Sequence, residues 1–345
     1  MLPRHAWAMP PSAATLCRIT IHVLPFRQHV KWRQIPMNHL RFLKYIDEVA
    51  RVGSIRKAAE RLHVAPSAVN RRLLDLESEL GTPIFERLPR GMRLTAAGEL
   101  FIGYVRGRAA ELEQVRSRID ELRGMRRGTV KLVASQALAS AFLPQAIAGF
   151  RKAHPLVEFH VRVADHVQAL VALRGFEIDL ALVFNLPPEP DVHRMAELEQ
   201  KLVAVMHRDH PLAKSAASLR LRDCAGYPMA LPDRATGGRQ MLELFLVGRS
   251  VKLQPLVESN SFEFLRNYVK YEQAISFQIA IGAVTGDGEL VVREIEDRGF
   301  PRGHLVLARL AARRLPIIAH AFAEHLEGAL ASESAQKTRR SAGDK

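Results

Sequence analysis

The feature that most constrains the fold is a close pair of short apolar stripes near the start of the chain. Ile55, Ala58, Ala59 and Leu62 recur at helical spacing over barely two turns, with Ser54 standing where an N-cap is wanted. After Leu62-His63-Val64-Ala65, Pro66 occupies the first-turn position that tolerates proline, and Val69, Leu73, Leu76 and Leu80 follow on one face. Two short helices joined by a tight turn, with small side chains at 58 and 59 to let them approach, describe a helix-turn-helix. A preceding helix runs from Leu40 to the stop at Gly53 on the stripe Leu40, Leu43, Ile46, Val49 and Ala50. In such modules the N-terminal part of the second helix enters a major groove, which makes Ser67, Asn70, Arg71 and Arg72 the base-edge candidates.

Charge is distributed as such a module requires. Of 345 residues, 50 Lys/Arg oppose 36 Asp/Glu. Residues 1–36 carry five basic and no acidic side chains, 37–127 carry 18 against 12, 128–331 carry 23 against 22, and 332–345 carry four against two. The first third is therefore basic while the long remainder is nearly neutral, which points to a polyanion met by an N-terminal module. Thr82–Arg87 and Met92–Thr95 flank the turn Leu88-Pro89-Arg90-Gly91 and read as a hairpin wing. Arg87, Arg90 and Arg93 along it suit phosphate contacts, which position without specifying.

These residues carry a resemblance. Gly53-Ser54, Ala58-Ala59 and Leu62, then Pro66-Ser67-Ala68-Val69, Leu73, Leu76-Glu77, Leu80-Gly81, Ile84-Phe85 and Arg87, then Leu94-Thr95 and Ala97-Gly98, resemble the N-terminal signature of LysR-type transcriptional regulators. Ser54 and Pro66 join the expected DNA contacts on that ground. The family often has serine where this chain has Ala65 and Asn70, so a base preference does not transfer. The resemblance implies an α/β protein: a winged helix-turn-helix over 37–95, a linker helix over 96–127, and a two-lobed, periplasmic-binding-protein-like (type 2) effector domain over 128–331. Lobe I would hold 128–198 and 304–331, and lobe II 199–303.

The linker reads as one helix from Ala97 to about Met125, with Phe101, Val105, Leu112, Val115, Ile119 and Leu122 as a narrow seam that suits a dimer. Beyond it, strands at 129–134, 157–163 and 179–183 alternate with helices, which predicts a parallel sheet covered on both faces. Open sheets of this kind bind ligands beyond the C-terminal strand ends, placing Ser135, Gln136 and Asn185 at a pocket. Carried over from the family by position, Thr236, Gly237, Ser261 and Phe277 join them from lobe II. Tyr271-Glu272-Gln273 stands where many relatives have closely spaced glycines, and would reshape the cleft.

Residues 1–36 are expected to be disordered, or to precede a native start at Met37, and 332–345 to fray. No apolar run approaches membrane-spanning length, and Cys17 and Cys224 build no disulfide framework, which fits a cytoplasmic setting. Phosphate-loop, dinucleotide, serine-hydrolase and zinc-protease motifs are all absent from the sequence, so neither catalysis nor a cofactor is expected. His207 and His210 flank Asp209 in a loop and do not read as a metal site. The expected partners are double-stranded promoter DNA, a small-molecule effector that by family habit is often an anionic metabolite, a second copy in a homodimer or homotetramer, and RNA polymerase. The alternative is an enzyme or ligand-binding protein with an accessory DNA-binding head.

Overall fold

The computed structural model describes residues 38–343 apart from 90, 123–126, 216–218 and 284–287. The expected extension at 1–36, the start at Met37 and the wing residue Arg90 lie outside the described residues. The chain opens with α1 (Asn38–Val52), α2 (Ile55–Leu62) and α3 (Pro66–Leu80), then a hairpin of β1 (Phe85–Leu88) and β2 (Gly91–Leu94). Helix ends obey local chemistry. Ser54 caps α2, His63 leaves it at a left-handed φ of 53°, Pro66 opens α3 and Gly81 closes it at φ 67°. Ile46, Val49, Ala58, Ala59, Val69 and Leu73 pack with Ile84 and Phe85 into the core of this head.

Helix α4 (Ala96–Leu122) has 27 residues and so spans about 40 Å. Its first turns complete the head's core through Phe101 and Ile102, and Val105 is also buried. Phe101 and Val105 are therefore not seam residues. The outward apolar stripe is instead Leu100, Tyr104, Val115, Ile119 and Leu122, with Leu100 and Leu122 at 80% and 89% exposed.

The larger domain runs β3 (Gly128–Ala134), α5 (Gln136–Ala139), α6 (Phe142–Ala153), β4 (Val157–Val163), α7 (His166–Arg174), β5 (Leu180–Phe184), β6 (Val192–His207), α8 (Pro211–Lys214), α9 (Leu221–Cys224) and β7 (Met229–Pro232). It continues through α10 (Gly237–Leu246), β8 (Pro255–Ser259), α11 (Phe262–Tyr271), β9 (Ile275–Ile279), a short 3-10 turn (Ala280–Gly282), β10 (Leu290–Glu294), β11 (Arg302–Leu310) and α12 (Ile317–Gly343). Strand order is β4-β3-β5-β11-β6-β9-β7-β8, with β10 also on β6. The three strands expected to be parallel are so, β3 pairing in parallel with β4 and β5, while β11 runs antiparallel to β5 and β6 and makes the whole sheet mixed. The reason lies in the two crossovers. Val192–Lys201 of β6 pairs with β11 in lobe I, and Leu202–His207 pairs with β9 and β10 in lobe II, so one strand leaves the first lobe and the other returns in the opposite sense.

Helix α12 continues to Gly343, through most of the segment expected to fray. Residues 329–342 hold neither glycine nor proline, several are alanine, and Ser332 ties back to the Gly328 carbonyl at 2.9 Å.

Candidate functional site

On the head, Ser67, Arg71 and Arg72 are exposed along α3, beside the exposed Pro66. Asn70 is half-buried, and its Oδ1 accepts from Arg87 Nη2 at 2.9 Å, which ties the wing to α3. Arg72 faces Asp75 at 3.8 Å and Arg93 pairs with Glu86 at 2.8 Å. Ser54 spends its oxygen on the Lys57 N–H at 3.4 Å. The residue that seats the wing is not among the DNA contacts expected from sequence: Glu77 Oε1 accepts from the Ile84 and Phe85 N–H groups at 2.8 and 3.1 Å. Several arginines of the head are neutralised locally. Burial pulls the Glu48 carboxyl upward, but hydrogen bonds from Arg61 and Arg51 outweigh it and hold Glu48 below the usual carboxylate range. Arg56 pairs with Glu60, and Arg106 with Asp47 at 2.6 Å. Among the described residues, Arg71 is left without an ion pair on the outward face of α3.

Between the lobes lies a cleft of about 330 Å³. Lobe I contributes Ser135 and Gln136 at the start of α5, Asp165 and His166 at the start of α7, and Phe184. Lobe II contributes Asp233, Thr236 and Gly237 at the start of α10, with Asn260 and Phe262. Ser135 Oγ accepts from the Phe184 N–H at 2.9 Å, which leaves its own O–H as a donor. In the orientation that satisfies both its ends, the Gln136 amide donates to the Asn260 carbonyl and accepts from the Phe262 N–H at 3.1 Å, so this lobe I side chain already grips lobe II. A Cβ on Gly282 would stand 2.6 Å from the Ala137 carbonyl oxygen, so only glycine lets the lobes meet there.

Three expected pocket residues lie elsewhere. Asn185, at a left-handed φ of 52°, exchanges two hydrogen bonds with His304, from its N–H at 2.8 Å and to its Oδ1 at 3.0 Å. It clamps β5 to β11 at the hinge, where a Cβ on Gly303 would overlap the Phe184 ring. Ser261 caps α11 by accepting from the Phe264 N–H at 3.2 Å. Phe277 is 1% exposed inside lobe II, and Ile279, two residues further along β9, reaches the cleft instead. Tyr271, Glu272 and Gln273 are exposed at the far end of β9 and do not shape the cleft. The electrostatics also depart from an anion site. Among the described residues, the lining holds Asp165, Asp233 and His166 but no lysine or arginine. A larger space of about 1250 Å³ separates α1 and α4 from lobe I; it joins domains rather than lobes.

Residues 40–99 match the family model "Bacterial regulatory helix-turn-helix protein, lysR family", and residues 123–331, more than half of the chain, match "LysR substrate binding domain". The chain belongs to the LysR family. This LysR-type regulator is 26% identical over 283 residues to the "HTH-type transcriptional activator CmpR" of Synechocystis sp., covering 81% of this chain and 91% of the relative. It is 30% identical over 273 residues to the "HTH-type transcriptional regulator CbbR" of Rhizobium meliloti, covering 78% and 87%. Among solved structures, a full-length OxyR variant from Pseudomonas aeruginosa superposes with a TM-score of 0.64 at 22% identity, over 83% of this chain and 93% of that one. The last likeness shows the shared fold. Glu77, Asp165, His166, Asp233, Asn260 and Phe262 are functional candidates that sequence reasoning does not reach; only Glu77 carries a signal, as part of the Leu76-Glu77 motif.

Proposed function

We propose that this LysR-type regulator, acting in the cytoplasm as a dimer, reads a dyad-symmetric stretch of promoter DNA, and that a small molecule in the interlobe cleft alters how it binds. The observation that carries the reading is the joined surface of α3 and the wing, where Ser67, Asn70 and Arg71 project beside Arg87. Arg71 supplies guanine recognition, Asn70 and Arg87 act together, and Arg93 and Arg72 set the register on phosphates. The exposed stripe of α4 is the dimer seam, and the wing and reading helix of each copy then face one half-site. This reading has no catalytic step.

The cleft takes a compact ligand, since about 330 Å³ is at the low end of small-molecule sites. Asp165 and Asp233 favour a ligand that is neutral or positively charged at that end, and the uncapped start of α10 at Gly237 and Gly238 offers N–H donors to one acceptor group. The deciding experiment is footprinting of the full chain on the DNA upstream of its own gene across a salt series. A protected dyad site that outcompetes random DNA supports the reading. Protection that vanishes uniformly with salt on any DNA would leave only a phosphate binder. A panel of small neutral, zwitterionic and multiply anionic compounds scored by thermal shift then tests the cleft. Stabilisation by multiply charged anions alone would overturn its assigned chemistry.

A further inference from the structure

Helix α7 and the turn that follows it reach both places that regulation must connect. At its N-terminal end Asp165, which caps the helix by accepting from the Gln168 N–H at 2.8 Å, lines the interlobe cleft with His166. At its C-terminal end the chain passes through Gly175 into Phe176, beside α4. Nine residues make this helix about 13 Å long. Ala169, Leu170, Ala172 and Leu173 bury one face of it against Val133, Ala181 and Val183 of the sheet, and this packing, rather than the exposed pair of Arg174 with Asp191 at 2.8 Å, makes it a single packed element.

Phe176 holds a left-handed φ of 54°, which a bulky side chain adopts only where its surroundings compel it. Gly107 of α4 admits the ring: a Cβ built there would stand 3.6 Å from Phe176 Cζ, so a longer side chain would take the ring's place. On the lobe I side the Arg313 guanidinium lies 5.9 Å from the ring centroid and is itself fixed by Asp179 and the Ile178 carbonyl. One residue before Gly107, Arg106 bonds to Asp47 of α1 at 2.6 Å. The turn of α4 that receives Phe176 therefore also holds the DNA-reading head. A second link, Lys131 to Glu113 at 3.7 Å, is a largely exposed pair and of the kind that contributes little.

We propose that α7 is the rod that carries the state of the cleft to the head, with Phe176 as its positioning residue on the linker helix. Opening or closing the cleft shifts α7, and the ring at Gly107 converts that shift into a change in the pose of α4 and of the head bonded to it. The warrant is one packed helix that lines the cleft at its start and runs directly into the Gly175–Phe176 turn against α4, and it rests on the cleft being the regulatory site.

The test needs no effector. In the full chain with Cys17→Ser, Gln136→Cys and Asn260→Cys are joined across the cleft by a short bis-maleimide, Cys224 being buried and unreactive. Affinity and footprint length on the operator are compared with and without the bridge. Bridging is expected to change operator affinity about fivefold or more. Phe176→Ala and, independently, Gly107→Leu are expected to bring that ratio within about twofold of one, while Phe176→Tyr retains it. Because the ratio compares two states of one variant, a general loss of stability does not mimic the result. A ratio that persists in both Phe176→Ala and Gly107→Leu overturns the rod alone. A bridge without effect in the parent chain overturns the regulatory role of the cleft, and the rod with it.

Discussion

Replacing Glu77 with alanine should release the wing from the reading helix. One carboxylate oxygen of Glu77 accepts from two successive N–H groups, Ile84 at 2.8 Å and Phe85 at 3.1 Å, where the chain leaves α3 for β1. A hydrogen bond to a charged acceptor contributes about 1.5–3 kcal/mol, and the half-buried setting selects the lower figure. Two such bonds give about 3 kcal/mol, or roughly a hundred-fold in local opening. Hydrogen exchange of the peptide spanning residues 82–88 reads this directly, because local opening governs exchange there. Glu77→Gln keeps an acceptor oxygen at the same position and should lose about half as much. The DNA consequence is specific too: with Arg87 no longer held beside Asn70, affinity should fall on all sequences and the salt dependence should flatten by about one unit for each phosphate no longer neutralised. Unchanged exchange at Ile84 and Phe85 in Glu77→Ala would refute the claim that this carboxylate positions the wing.

Arg71→Ala should cost about 1–3 kcal/mol on the operator and little on random DNA, and equal losses on both would remove Arg71 from base reading. If the exposed stripe of α4 is the proposed dimer seam, Leu100→Glu with Ile119→Glu should lower the sedimenting mass from that of a dimer to that of a monomer, and an unchanged mass would overturn that assignment. Burial drives the imidazole of His210 below its ordinary range, so the folded state favours the neutral ring. The stability it contributes is complete above the unfolded value of 6.5 and is lost as pH falls through the lowered folded value. His210→Asn, which keeps an acceptor for the Leu212 N–H, should flatten the decline in melting temperature from pH 7 to 5, and an unaltered decline would contradict this. Burial likewise pushes the Cys224 thiol up to about 12, so native alkylation at neutral pH should run more than about a thousand-fold slower than for glutathione.

What is legible in the sequence is what depends on neighbours three or four residues apart. Ser54, Pro66 and Gly81 each act within one turn of their own helix, and Ala58 and Ala59 meet helices separated by a short turn. The hidden features join residues far apart. Asn185 lies at the end of a strand, where a ligand contact is a fair expectation, yet its partner is His304 on the returning crossover. Phe277 and Ile279 face the same way along β9, but the sheet buries the first under lobe II and ends at the second. Phe176 has no local signature at all, since the glycine its ring lies against, Gly107, is on another domain's helix. The outward face of α4 is obscured for a related reason: helical period alone cannot tell the seam from the stripe that the head claims through Phe101 and Ile102.

The cleft shows why position and charge are separate questions. The starts of α7 and α10 meet there, and unpaired N–H groups at helix starts favour anions. That argument holds only where the end is vacant. Asp165 already sits on the start of α7, and the Asp233 carboxylate accepts from the Ala235 N–H at 2.6 Å just ahead of α10. Each carboxylate offsets the partial positive charge that would have drawn an anion, leaving Gly237 and Gly238 as donors without a side-chain cap. A ligand with one acceptor group and a neutral or cationic remainder satisfies both halves of the lining. One with two anionic groups would bring the second against Asp165 or Asp233, in a site whose described lining contains no arginine or lysine to neutralise it. On the proposed reading of the cleft, Asp165→Asn with Asp233→Asn should admit multiply anionic ligands that the parent chain excludes, which thermal shift of the two proteins with one anion panel checks.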